Sequence, residues 1–357
     1  MTQLSRFQAA LAATDADCAI ISSEINIRYL CGFNYTDGYL LIFPDRAYLL
    51  TDFRYVEAVR ANVKEFEIIV PDGIMLDDIS TLIKKNSALR AVIEEDKISY
   101  SEFKEICKKL DGIKVCEGAS KILNEQRAVK LDSELDIIAK AQSITDAAFS
   151  HILGFITPNV TEIDIALELE FFMRKMGAEN TAFDTIAVSG RSSSLPHGVP
   201  QNKKLSSGFL TMDFGARVDG YCSDMTRTVV IGKADGEMKK VYSTVLSAQK
   251  SALEAIHEGI GCKAADTVAR DVIKQAGYGD YFGHSLGHGV GMYIHETPSL
   301  SQKAKDTDVL KRGNVVTVEP GIYIEGKYGC RIEDMIAIDH NGKLINFTKS
   351  TKELIEI

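Results

Sequence analysis

Paired cysteines are missing from this chain. Its seven cysteines, at 18, 31, 107, 116, 222, 262 and 330, are dispersed, odd in number and never in CxxC spacing. That argues against a disulfide framework or a zinc–thiolate site and favours reduced, packed thiols. No uninterrupted apolar run is long enough to cross a bilayer. A secretory leader is not expected either, because Asp15 and Asp17 interrupt the N-terminal amphipathic stretch before the first apolar run. Positive charge is not in excess: the formal net charge is −9, with basic residues scattered along the chain. This balance favours solubility and speaks against nucleic acid or an anionic membrane as the main partner. Short-period repeats and low-complexity tracts are also absent. The expectation is a cytoplasmic protein.

What is present is ordinary globular composition, 45% hydrophobic and 25% charged, over 357 residues. That length exceeds the usual single domain, so two domains are expected. The first part alternates short apolar runs with helical patterns. Cys18 to Ile21, Ala47 to Leu50, Phe66 to Val70 and Arg90 to Ile93 read as strands, with helices over Ile79 to Lys85 and Glu102 to Leu110. Such alternation suggests a small α/β domain. A long helical pattern follows, with Leu131, Leu135, Ile138, Ala141, Ile144 and Ala148 at three- and four-residue spacing and Ser133 with Asp136 as a start signal. The boundary is placed ahead of it, giving domains 1–124 and 125–357. Helices over Glu162 to Met176 and Glu237 to Ile256, with glycine-punctuated strands, make the second domain α+β.

The informative residues begin at Phe209-Leu210-Thr211-Met212-Asp213-Phe214-Gly215. The chain turns at Val218-Asp219-Gly220-Tyr221 and returns through Asp224, Thr226 and Val230. Asp-Gly between two β-rich runs is a strong hairpin signal. With Asp219 and Gly220 as the loop, Asp213 faces Thr226, and Asp224 is its same-face diagonal neighbour, about 7–8 Å away. Two carboxylates so placed repel and lose hydration unless a cation joins them, or unless one points to solvent. Further on, His284 and His288 stand four apart in a glycine-rich run, and His295-Glu296 follows. Three of the chain's seven histidines thus fall within twelve residues, which isolated structural histidines explain poorly. Glu319 ends the apolar run Val315 to Val318, and Glu333 is expected in another strand with Arg331 two residues earlier on the same face. A glutamate closing an apolar strand is costly if buried and unpaired.

The ordered set Asp213, Asp224, His288, Glu319 and Glu333 resembles the metal-ligand pattern of the pita-bread metallopeptidases, the group of methionine aminopeptidase, aminopeptidase P, prolidase and the metal-free creatinase. Asn26 to Phe33 and Thr51 to Tyr55 resemble the creatinase-type N-terminal domain, so the likeness covers nearly the whole chain. It implies a pita-bread catalytic domain that cleaves Xaa-Pro bonds with two divalent metal ions. Asp213 and Asp224 would hold one metal, with Asp224 reaching the second; His288 and Glu319 would complete the second, and Glu333 would bridge both. Four carboxylates and one imidazole are a hard set, suited to Mn2+, with Co2+ and Zn2+ as alternatives. Two dications can bind a bridging water and create hydroxide near neutral pH. Glu319 would accept and shuttle its proton.

The resemblance further implies that His197 contacts substrate, that His295 polarises the carbonyl and stabilises the oxyanion, and that His284 lines the pocket receiving proline. Arg331 and Tyr323 would support the metal ligands. Within the group, the full ligand set disfavours creatinase chemistry, and the N-terminal domain disfavours methionine aminopeptidase. Some prolidases carry an arginine shortly after the His-Glu pair to bind the dipeptide carboxylate, where this chain has Ser299. That tilts the expectation toward an Xaa-Pro aminopeptidase acting on peptides with proline at the second position. The alternatives are an Xaa-Pro dipeptidase (prolidase) and, more remotely, a non-catalytic peptide-recognition protein. A homodimer is the expectation by analogy.

Overall fold

Cys18–Ile21, an uninterrupted apolar run, becomes a strand with all four residues buried. It sits inside a six-stranded mixed sheet whose spatial order is Glu67–Ile69, Ala47–Leu50, Tyr39–Ile42, Cys18–Ile21, Arg90–Ile93 and Lys114–Glu117. Cys18–Ile21 pairs antiparallel with Tyr39–Ile42 on one side and parallel with Arg90–Ile93 on the other. Continuous rather than alternating apolar sequence is what a central strand covered on both faces requires. Ile20 and Leu41 join Ile79 and Ile83 of the helix Met75–Lys85 in one core, and Ala19, Ile21 and Leu40 are buried as well. Strands and helices thus follow the sequence expectation for an α/β unit. The computed structural model describes residues 2–157 and 159–357, and the chain divides into the compact units Met1–Arg127 and Ala128–Ile357.

The second unit is α+β. Two helix pairs, Asp132–Phe155 with Glu162–Lys175 and Gly236–Ala255 with Cys262–Gln275, each back one of two apolar cores. Ile138, Ala141, Ile144, Ala148 and Ile152 are buried along the first helix, the stripe expected from the three- and four-residue spacing. That helix starts at Asp132, ahead of Ser133. The reason is Glu134, whose carboxylate accepts the Leu131 N–H at 2.7 Å and the Tyr221 hydroxyl at 2.5 Å. The capping function therefore belongs to Glu134 and not to a Ser133–Asp136 pair. The helix Cys262–Gln275 has no counterpart in the sequence reading.

Against the first core lies a three-stranded sheet in the order Met225–Ile231, Gly208–Phe214, Ile186–Ser189. Against the second lies a five-stranded sheet in the order Glu296–Leu300, Gly287–Gly289, Val315–Val318, Asp334–Ile338, Leu344–Asn346. Glu333 lies between the strands Tyr328–Arg331 and Asp334–Ile338 and not inside one. The chain passes here from a two-stranded sheet, Gly321–Ile324 with Tyr328–Arg331, into the five-stranded sheet. The Glu333 N–H bonds to the Thr226 carbonyl of the three-stranded sheet at 3.1 Å, tying the three- and five-stranded sheets together where the candidate ligands gather.

Candidate metal centre

The hairpin forms as its turn residues demand. Asp219 and Gly220 have φ of 47° and 88°, the left-handed pair that a two-residue primed turn uses. The register runs from Val218↔Tyr221 through Arg217↔Cys222 to Asp213↔Thr226. The Ser223 N–H donates to the Ala216 carbonyl at 2.9 Å, keeping the same register through the next pair. Asp213 and Asp224 thus reach the same end of the hairpin. Opposite them, His288 lies on the short strand Gly287–Gly289. A Cβ on Gly287 would stand 2.0 Å from the Thr317 carbonyl oxygen, so only glycine lets that strand approach the one leading to Glu319.

Ligand atoms of Asp224, His288 and Glu333 lie within 4.8 Å of one another. His288 Nε2 is 3.5 Å from Asp224 Oδ2 and 3.4 Å from Glu319 Oε1. Its Nδ1 lies 3.0 Å from the Gly289 carbonyl oxygen; with the proton there, the Nε2 lone pair faces the carboxylates. Asp213 is engaged differently, through a 2.6 Å contact of its Oδ2 with Arg331 Nη2. Its Oδ1 is buried with no hydrogen-bond partner among the described residues. Thr226 donates its hydroxyl to Glu333 at 2.6 Å, and Thr317 donates to Glu319 at 3.2 Å.

The electrostatics of this cluster are strained. Burial, reinforced by Glu333, Asp213 and Glu319, holds the Asp224 carboxyl well above the ordinary range. Burial and the charges of Glu319 and Asp213 raise Glu333 likewise. Burial also pushes Glu319 up to about 8, against the pull of Arg331. His288 is pushed down to about 4 by burial and then by His295, so its ring is neutral at pH 7. Buried carboxylates facing a neutral imidazole lone pair, with one orphaned oxygen on Asp213, form an electron-rich nest that a hard divalent cation would relieve.

The other predicted residues surround this nest. His284 Nε2 lies 3.0 Å from the Tyr323 hydroxyl, which accepts a 2.7 Å hydrogen bond from Arg331. Burial and then the Arg331 charge hold the His284 ring near 4. Its 4.0 Å approach to Glu319 is therefore not an ion pair. His295 packs edge-on against His288 with ring centroids 4.4 Å apart. His197 is exposed on the loop after the turn Gly190–Ser194. All of these except Tyr323 line one cavity of about 770 Å³, together with Phe183, Ile186, Ile294 and Ser299. Tyr323 stands behind its wall.

Sequence reasoning passed over several supporting groups. Thr226 was legible in the hairpin register, directly opposite Asp213. Arg227, 1% exposed, carries no such signal. Its guanidinium reaches Asp334, its own neighbour's carbonyl at Thr226, and the carbonyls of Glu333, Ser350 and Thr351. All of these partners but Thr226 lie more than 100 residues away in sequence.

Residues 136–340 match the model of metallopeptidase family M24, and residues 3–129 match that of the creatinase/prolidase N-terminal domain. The chain is similar to an Xaa-Pro dipeptidase structure from Bacillus anthracis, at 42% identity and a TM-score of 0.94 over 99% of both chains. It is also similar to an X-Pro aminopeptidase structure from Thermotoga maritima, at 35% identity and a TM-score of 0.91, covering 98% of this chain and 100% of that one. An Xaa-Pro dipeptidase of Pyrococcus furiosus is 38% identical over 95% of each chain. The family is one of divalent-metal hydrolases, in keeping with the ligand cluster. The chain belongs to metallopeptidase family M24, with the pita-bread catalytic fold and a creatinase/prolidase-type N-terminal domain.

Proposed function

We propose that this chain is a dinuclear metal-dependent peptidase that hydrolyses Xaa-Pro bonds, with the Xaa-Pro dipeptide as its preferred substrate. The observation that carries this reading is the convergence of Asp224, His288 and Glu333 within 4.8 Å, in a cavity also lined by His284 and His295. The expectation drawn from Ser299, a preference for longer peptides, gives way to the weight of the relatives. Those from Bacillus anthracis and Pyrococcus furiosus, at 42% and 38% identity, are Xaa-Pro dipeptidases. An aminopeptidase remains the second reading, supported by Ser299 in the cavity wall and by the Thermotoga maritima X-Pro aminopeptidase.

Asp213, Asp224, His288, Glu319 and Glu333 would hold two divalent cations, with Mn2+ matching this hard donor set and Co2+ and Zn2+ as alternatives. When bound, such cations supply Lewis acidity and lower the pKa of water toward neutrality. Glu319 takes the proton of the attacking water and returns it to the leaving proline nitrogen. His295 donates to the scissile carbonyl oxygen as it gains negative charge. His284 borders the space for the proline ring, and His197 contacts the substrate from its exposed loop. Arg331 holds Asp213 in place, and Tyr323 holds His284. By the same family resemblance, the working form is a cytoplasmic homodimer.

The test is hydrolysis by metal-stripped protein with and without Mn2+, comparing an Xaa-Pro dipeptide with an Xaa-Pro-Yaa tripeptide. Metal-dependent cleavage favouring the dipeptide is expected, and Asp224→Ala should abolish it. Preference for the tripeptide would establish the second reading. No cleavage of either peptide would overturn the substrate class.

A further inference from the structure

Outside the ligand cluster, the unit Ala128–Ile357 buries a second charged pair with no assigned role. Lys130 Nζ lies 3.1 Å from Glu296 Oε2, and the two side chains are 1% and 4% exposed. We propose that this pair is a positioning clamp for His295, acting in the Xaa-Pro hydrolysis proposed above.

Glu296 directly follows His295 and organises the turn that precedes it. Its Oε1 accepts the Tyr293 N–H at 3.2 Å. Its carboxylate also presses on Gly291, where a Cβ would stand 2.4 Å from Glu296 Oε2. The turn is closed by the Gly291 N–H on the Tyr293 carbonyl at 3.1 Å. Gly291 in turn accepts the Cys222 N–H at 2.8 Å, two residues from Asp224. The carboxylate is thus the hub around which residues 291–296 fold.

Lys130 is the fixed end. Its N–H donates to the Gly313 carbonyl at 2.8 Å, and His340 Nε2 lies 2.9 Å from its carbonyl oxygen. Among the described residues no hydrogen bond holds the His295 ring, which touches His288 edge-on. The ring is therefore aimed by its backbone, and that backbone is aimed by Glu296. A buried ion pair is a poor way to gain stability, because an apolar pair of similar volume serves as well or better. It is a good way to fix direction, since a carboxylate met by a lysine on one oxygen and an amide on the other has little freedom to rotate.

The experiment is a double-mutant cycle. Lys130→Met, Glu296→Gln and the pair together are made in the native and in the His295→Ala backgrounds. Xaa-Pro dipeptide hydrolysis is measured with Mn2+, and the folded fraction is followed by thermal unfolding. A misplacement near an ångström costs on the order of 100-fold. Lys130→Met should therefore lower kcat about 10- to 100-fold with little change in KM, and should lower it less than about threefold once His295 is gone. The paired variant should fold like the native protein yet keep the kcat defect. An equal fall in both backgrounds, or a fall that tracks the folded fraction, would overturn the clamp. A second readout does not depend on the substrate. In metal-free protein labelled at histidine with 15N, the His295 ring signals should shift in Lys130→Met while those of His151 and His257 stay. If the native enzyme cleaves no Xaa-Pro peptide, the proposed function falls while these signals still decide the clamp, and an unmoved His295 refutes it.

Discussion

Arg331 and Asp213 meet at 2.6 Å, with side chains 4% and 14% exposed, so a guanidinium stands against one wall of the carboxylate nest. The same guanidinium donates through Nε to the Thr226 hydroxyl at 2.9 Å and through Nη1 to the Tyr323 hydroxyl. It is the cation that the fold itself supplies to the cluster.

Replacing it should expose how much the carboxylates need positive charge. Arg331→Met is expected to destabilise metal-free protein by about 3–5 kcal/mol, because it leaves buried charge uncompensated. Mn2+ should restore part of that loss, since a bound divalent ion supplies charge to the same nest. Denaturant unfolding with and without Mn2+ measures both. Equal losses in the two conditions would show that Arg331 is not coupled to the cation site.

Arg227 makes the contrasting case. It is 1% exposed and bonds Asp334 together with the carbonyls of Thr226, Glu333, Ser350 and Thr351. Arg227→Met should cost about 3–5 kcal/mol as well. Here Mn2+ should not selectively restore the loss, because the lost contacts are to backbone and to Asp334. The same unfolding experiment run on both variants separates a charge effect from a scaffold effect.

Thr226→Val removes one hydroxyl at nearly constant shape. Glu333 then loses a 2.6 Å donor and Arg331 loses an acceptor. The expected cost is about 1–3 kcal/mol in stability. Mn2+ affinity, read by calorimetric titration, should weaken about 10- to 100-fold, as for other groups that orient ligands. Unchanged affinity would mean that Glu333 holds its place without Thr226.

The metal-free protein should lose stability as pH rises from 6.5 to 8. Glu319 is raised to about 8 in the folded state, and Asp224 and Glu333 are raised as well. The folded state therefore binds more protons than the unfolded state in that window, and stability falls as pH climbs through it. His284 and His288, lowered to about 4, act oppositely, but only below the ordinary histidine range near 6.5. Calorimetric melting of chelator-treated protein at pH 6.5, 7.2 and 8.0 checks the slope. Mn2+ affinity should rise over the same interval, because binding displaces those protons. A flat melting profile would show that the carboxylates are ionised without the metal.

Several parts of this fold were legible in the residues alone. Cys18–Ile21, Ala47–Leu50 and Arg90–Ile93 are strands at the positions the apolar runs mark. The Asp219-Gly220 turn is so restrictive that the pairing of Asp213 with Thr226 follows by counting outward from it. Passed over was the helix Cys262–Gln275, although its buried residues Cys262, Ala265, Asp266, Ala269 and Ile273 recur at three- and four-residue spacing. The start of the long helix was misplaced because Glu134 answers to Tyr221, 87 residues away, as well as to its own turn.

The sequence by itself determined the local elements, the hairpin register and the order of the ionisable residues, because periodicity and turn conformation are short-range properties of the chain. Only the tertiary structure decided that Asp224, His288 and Glu333 converge from separate segments of the chain and that Arg331 rather than solvent faces Asp213. It also decided that Lys130 closes on Glu296, 166 residues away. Convergence and desolvation are set by which surfaces pack together, and the same packing moves the carboxylates up and the imidazoles down.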